Sequence, residues 1–186
     1  MKPVLTTKHL ILRPLELGDV EMLWPDISDV MISREMAWQA HTDKEETRKF
    51  LEAEVSRYES NRGVTWAILK DHAFCGIVSL IGLLRTHRAL TYDKGELGYW
   101  MGRRFQRQGL MTEACAAVMQ FAFKELELHK LTVSHFAGNA ASENLIKRLG
   151  FRYIGEQIDE FRKDGVWHTH KLYELLAQDY FAAMKH

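Results

Sequence analysis

The stretch ELGYWMGRRFQRQGLMTEAC (residues 96–115) decides how this chain is read. Residues 95–101 predict a strand ending near Met101. From about Met111 the apolar period changes from two to 3.6, placing Ala114, Val118, Phe121, Ala122 and Leu126 on one broad helical stripe. The loop between them holds Arg103, Arg104, Arg107 and Gly109. A helix start exposes unpaired N–H groups and the positive end of its dipole, and a glycine beside it lets backbone approach a phosphate closely. The same residues also suit a solvated basic loop capping a helix, and local physics leaves both readings open. The loop is neither a Walker A nor a GxGxxG fingerprint.

Outward from this stretch, strands and helices interleave. HLILRPL (residues 9–15) predicts a first strand, with a short helix expected over 19–23. Thr42 stands three residues before Glu45, a capping box for an amphipathic helix over about 43–60, whose apolar side carries Phe50, Leu51, Val55 and Tyr58. TWAIL (65–69) and FCGIVSLIGLL (74–84) flank the polar turn KDHA and predict a β-hairpin. A strand is expected over 130–136 and a helix over 141–149, stopped by Gly150. FRYIGEQIDEF and VWHTHKLYELL read as two last strands joined by a turn at 163–165. Trp24, Met31, Met36 and Trp38 share no clean period, which suits a lobe that lines something as well as plain core packing. The pattern predicts one α/β domain over residues 1–186 with a mixed sheet.

Composition narrows the function classes. Of 186 residues, 46% are hydrophobic and 27% charged, with 3 prolines, so disorder and low-complexity architectures are excluded. Lys plus Arg and Asp plus Glu both number 25, a net charge of +0, which speaks against a nucleic-acid partner. Cys75 and Cys115 form no CxxC pair and fit a reducing compartment. The opening MKPVLTTKHLILRPLE has no apolar core, and no apolar run approaches 18 residues, so no membrane association is expected and a cytoplasmic location is. His168 and His170 share a strand face without a third ligand nearby, and no metal is expected. Cys115, inside the helix stripe, reads as a small buried hydrophobe.

Four pieces in order carry a resemblance over about residues 7–176: LILRPLELGD near the start, the ELGYW strand, the Gln106–Thr112 loop followed by Glu113 and Ala114, and NAASENLIKRLGF (139–151). Together they resemble the GNAT superfamily of acetyl-CoA-dependent N-acetyltransferases, and within it the RimJ/RimL branch that acetylates ribosomal-protein N-termini. The resemblance implies a mostly antiparallel sheet of six to seven strands, flanked by about four helices, with two central strands splayed. It implies that Gln106, Arg107, Gln108, Gly109, Leu110, Met111 and Thr112 hold the pyrophosphate of acetyl-CoA. The backbone of Tyr99, Trp100 and Met101 would run beside the pantetheine arm, facing a splayed partner at 131–136, and would supply an oxyanion-binding N–H. Asn139 would bond the same arm. Met111 departs from the pattern, which has a small residue there; in the first helical turn its side chain can enter the core and leave its N–H free.

The chemistry follows from the same alignment. A primary ammonium cannot attack a thioester until it loses a proton, and Glu96, a carboxylate on an apolar strand sharing a face with Gly98 and Trp100, resembles the family's general base. A salt bridge to a neighbouring arginine is the structural alternative. Many relatives place a tyrosine acid four positions beyond Ser142, where this chain has Ile146, and in the RimL-like pattern Ser142 assists thiolate departure. The expected acceptor is an amine, foremost the α-amine of a protein such as a ribosomal protein. A small-molecule amine acetyltransferase and a non-catalytic acetyl-CoA-binding protein remain alternatives, and the chain is expected as a monomer or homodimer. Acceptor choice is expected to lie in residues 23–41 and the final hairpin turn.

Overall fold

The computed structural model describes residues 3–184. Eight strands form one sheet: β1 (Leu5–Thr6), β2 (Ile11–Pro14), β3 (Gly63–Lys70), β4 (Ala73–His87), β5 (Leu90–Met101), β6 (Lys130–Phe136), β7 (Arg152–Lys163) and β8 (Val166–Leu176). Their spatial order is β1-β2-β3-β4-β5-β6-β8-β7. Only β5 and β6 pair in parallel. The expected count of six to seven strands is exceeded by β1, two residues against β2 that are too short to alternate visibly.

Six α-helices surround the sheet: α1 (Val20–Ile27), α2 (Val30–Ser33), α3 (Lys44–Glu59), α4 (Leu110–Gln120), α5 (Ala140–Arg148) and α6 (Ala177–Ala183). The expected four correspond to α1, α3, α4 and α5; α2 and α6 span at most two turns and show no period to read. The cap of α3 sits one residue later than expected. Asp43, in extended conformation, accepts the Glu46 N–H at 2.9 Å, and the Glu46 carboxylate reaches back to the Thr42 N–H at 2.6 Å. Thr42 and Asp43 are both competent caps, and Asp43 takes the role. Beyond Gln120, α4 widens into a π-turn over Phe121–Glu125, with the Leu126 N–H bonding the Phe121 carbonyl at 3.0 Å.

Three two-residue hairpin turns build the sheet, at Asp71-His72, Arg88-Ala89 and Asp164-Gly165, each with both φ positive. That geometry matches the strand twist. The sheet separates two cores. One face buries Leu12, Trp66, Ile68, Val78, Leu80 and Leu97 against α4, with Ile146 of α5 in the same cluster. The other buries Ala67, Ile77 and Trp100 with Leu23 of α1 and Leu51 of α3. Each fully buried leucine in these layers contributes roughly 1.5–3 kcal/mol.

Candidate active site

The cleft originates where two strands part. β5 pairs with β6 only at Lys94, Gly95 and Glu96, opposite Lys130, Leu131 and Thr132. Past that point β5 keeps its bonds to β4 and β6 its bonds to β8, and nothing joins β5 to β6. The splay therefore begins at Val133 rather than at Leu131, because Leu131 and Thr132 are still paired. On its open side β5 leaves the polar backbone of residues 97–101 to be satisfied by whatever enters. The resulting cavity has a volume of about 1510 Å³. Drug-sized ligands occupy roughly 300–1,000 Å³, so two substrates can meet here.

At one rim the loop after β5 is folded back by two glutamines: Gln106 donates to the Met101 carbonyl at 3.0 Å and Gln108 to the Arg104 carbonyl at 3.0 Å. Arg107 (φ 60°) and Gly109 (φ 78°) both take left-handed backbone, and Gly109 caps α4, which starts at Leu110, one residue before the expected position. A Cβ built on Gly109 meets nothing within 4 Å. The space over the first α4 turn, with N–H groups that have no intrahelical partner, is therefore open for an anion. Leu110 is buried, and the half-buried Met111 packs on the core as its departure from the small-residue pattern requires, with its N–H in the first turn. Thr112 also lines the cavity.

Across the cleft stands α5. Asn139 caps it by accepting the Ser142 N–H at 2.9 Å, while its amide donates to the Glu35 carbonyl at 3.4 Å. The Ser142 hydroxyl lies 2.7 Å from the Tyr99 hydroxyl of β5. Burial pushes the Tyr99 phenol up, with the Ser142 bond opposing, so it stays protonated and can donate. The sequence reading assigned Tyr99 only backbone; its hydroxyl partner lies 43 residues away and no local pattern reveals it. Ile146, at the position of the usual tyrosine, is fully buried.

The other face of the sheet receives Glu96, Gly98 and Trp100. Trp100 is buried with ring centroids 6.0 Å from Trp38 and 5.8 Å from Phe74. Glu96 is exposed to solvent in the cleft that it lines. Desolvation raises its carboxyl above the ordinary range, with Lys94 opposing. No arginine salt bridge to it is present among the described residues. His168 and His170 stack on and edge against Phe136, and among the described residues no three His, Cys, Asp or Glu side chains group as metal ligands. Cys115 is fully buried and its thiol is pushed up.

Over this face the irregular segment after α2 is strapped to the β7–β8 turn. The buried Lys163 ammonium donates to the carbonyls of Ser33, Met36 (2.9 Å) and Trp38 (2.7 Å), and Gln39 donates to the Asp164 carboxylate at 3.0 Å. The two regions expected to choose the acceptor are thus one surface. A lysine in a hairpin turn reads as solvated, so its sequence carries no sign of this clamp.

A model of the acetyltransferase (GNAT) domain matches residues 9–152. YdaF of Bacillus subtilis, by its name a candidate ribosomal N-acetyltransferase, is 32% identical over 124 residues, 67% of this chain and 65% of that protein. The chain thus spans just under two thirds of that relative's length. The ribosomal protein uS5–alanine N-acetyltransferase of Escherichia coli is 33% identical over 84 residues, 45% of this chain and 43% of that protein. A solved structure of RimL, a ribosomal alpha-N-protein acetyltransferase in complex with coenzyme A, shares the fold with a TM-score of 0.83 at 20% identity, covering 94% of this chain and 98% of that one. With the family match spanning most of the chain and the sheet opening where β5 and β6 part, this protein belongs to the GNAT family of acetyltransferases.

Proposed function

We propose that the protein moves the acetyl group of acetyl-CoA to the α-amine at the N-terminus of a protein acceptor. The observation that carries the transfer is the gap between β5 and β6, with an open helix end at one rim and a solvent-exposed carboxylate on the opposite sheet face. The residues fit the donor. Backbone N–H groups of the Gln106–Thr112 loop suit a pyrophosphate, the unpaired edge at Tyr99, Trp100 and Met101 suits an amide-bearing arm, and Asn139 stands across from it. The protein acceptor is supported by YdaF, uS5–alanine N-acetyltransferase and RimL, whose names assign them ribosomal targets.

In this reading the amine nitrogen attacks the thioester carbonyl, the N–C bond forms and the C–S bond breaks. Glu96 takes the amine proton directly or through a water, and its raised pKa makes it a better acceptor near neutral pH. With Tyr99 donating to Ser142, the serine proton is free to face the departing sulfur. A thiol ionises near about 8.5, so a hydrogen bond to the developing thiolate suffices without full proton transfer. Acetyl-CoA incubated with pooled peptides, polyamines, aminoglycosides and free amino acids, with mass spectrometry of the products, should show acetyl at peptide N-termini. Turnover of small amines alone would replace the protein acceptor. Acetyl-CoA binding with no turnover across the panel would leave a non-catalytic binder.

A further inference from the structure

On the sheet face that carries Glu96, one strand position is glycine without a reason in the fold. Gly76 and Gly95 have no room for a side chain, since a Cβ would meet the Trp100 carbonyl oxygen at 2.3 Å and a Leu80 methyl at 2.9 Å. Gly98 has room. Its φ lies outside the left-handed region, and a Cβ built there meets only that of Ser79, at an ordinary 3.8 Å. A glycine inside a strand gives up packing and chain stiffness, and where no close backbone contact demands it, it marks a place that a ligand approaches. Gly98 is half-buried and lines the cleft. In register it ends the row Thr65, Ser79, Gly98 across β3, β4 and β5. The Thr65 hydroxyl links Glu54 of α3 to Ser79, which holds α3 over the β3 end of that row and leaves the Gly98 end to the cleft.

Aromatic rings bound this space on one side. Trp100, the next residue on the same face, packs on Trp38 at 6.0 Å between centroids; Trp38 meets His41 at 6.2 Å, and His41 meets Phe50 at 6.0 Å. Trp38, His41 and Phe50 are only half-buried, and all three line the cleft. A His41 ring nitrogen lies 3.0 Å from the hydroxyl of the buried Thr47, and desolvation holds the imidazole below its ordinary range, so this wall is uncharged at neutral pH. Partly bared rings around a cavity suit an apolar group of a ligand. On the other side stands Glu96, one same-face step of about 6.6 Å from Gly98, a distance that a leucine or phenylalanine side chain covers from its own α-amine. We infer that Gly98 floors a pocket for the side chain of the acceptor's first residue, and that this side chain is large and apolar. The inference rests on the α-amine reading above and narrows its acceptor class. With the amine at Glu96, the side chain lies over Gly98 and ends against Trp38, Phe50 and Trp100. Gly98 is then a specificity-determining residue with no part in proton transfer.

The probes are peptides alike after the first residue, which is glycine, alanine, leucine or phenylalanine, with acetyl-CoA as donor. The parent should favour the leucine and phenylalanine peptides over the glycine peptide by at least about tenfold in kcat/KM, the scale on which an apolar pocket discriminates. Gly98→Ala places its Cβ in ordinary contact and should keep the parent's melting temperature within a few degrees. It should shrink that ratio, and Gly98→Val should abolish it, with the loss in the KM of the large peptides. The preference for acetyl-CoA over propionyl-CoA should stay as in the parent. A parent that turns over the glycine or alanine peptide as well as the large ones would overturn the pocket while leaving acetyl transfer intact, and so would an unchanged ratio in both folded variants. A shift in acyl preference with all peptides affected alike would give the space to the acyl chain and overturn it as well. If the parent protein acetylates no amine at all, the functional reading falls and the pocket with it.

Discussion

Desolvation by the surrounding cleft holds the Glu96 carboxyl above its ordinary range, with Lys94 opposing, although the side chain is exposed to solvent. With its folded pKa above the unfolded value, the native state binds more protons in the interval between the two. Stability therefore falls as pH rises through that interval and stays reduced above it. Because the side chain is solvent-exposed the effect is screened, and Glu96→Gln should melt at most slightly higher than the parent at neutral pH, with the gap closing as pH falls below the ordinary carboxylate range. The same substitution should lower kcat by about 10²–10⁴ with acetyl-CoA binding intact. Raising the pH should recover part of that loss, more for a lysine-like amine than for an α-amine, whose pKa is lower. Thermal melts and a pH–rate profile read both effects; full activity of the Gln variant at every pH would reduce Glu96 to a structural residue. The hydroxyl pair across the cleft is separable from this base. Ser142→Ala should lower kcat more than it raises the acetyl-CoA KM, and Tyr99→Phe should follow it with a smaller loss, since it removes only the orienting bond. Unchanged kinetics in both variants would leave thiolate departure to solvent.

At the scale of elements, the start of α4 is the proposed seat of the donor's pyrophosphate. Gly109 combines a left-handed φ with open space above it, so valine there would introduce strain and occupancy together. Asparagine separates the two, because it tolerates left-handed backbone yet still fills the space. Gly109→Asn should hold its melting temperature within a few degrees and bind acetyl-CoA at least about tenfold more weakly by calorimetry; unchanged affinity would move the pyrophosphate elsewhere. This element was legible in sequence to within one residue, because a change of apolar period and a glycine mark a helix start whatever packs on it. The β4–β5 hairpin was less so. Its turn, Arg88-Ala89, holds two left-handed residues without Gly, Asn or Asp, and the first residues of β5, 90–94, lie before the expected start at 95. Strand pairing to β4 decides it, overriding turn preference.

At the scale of the whole molecule, the acceptor side is closed by contacts between segments about 125 residues apart. Lys163→Met would remove the ammonium from the carbonyls of Ser33, Met36 and Trp38, of which that of Ser33 keeps the Met36 N–H, at a cost of about 1–3 kcal/mol for each one left unsatisfied. The expected outcome is a lower melting temperature, faster amide exchange over residues 33–39 and a several-fold rise in acceptor KM, with the acetyl-CoA KM held. Equal exchange rates in variant and parent would show that the strap is held by other contacts. No helix among the described residues is long and apolar enough to cross a membrane.

What the sequence determined by itself was everything encoded at short range. The strand–loop–helix unit at residues 96–115, the interleaving of strands and helices, the Asn139 cap and the side of β5 that Glu96 shares with Gly98 all follow from spacing, since backbone period and capping act within a few residues. Tertiary structure alone decided where β5 and β6 part, that Tyr99 meets Ser142, that Thr65 links Glu54 to Ser79, and that Lys163 grips the segment after α2. Each of these joins polar groups distant in sequence, and each polar side chain is unremarkable where it stands. Their pairing is enforced only when the sheet assembles, because burial makes an unsatisfied donor or acceptor expensive and leaves these partners as the ones within reach.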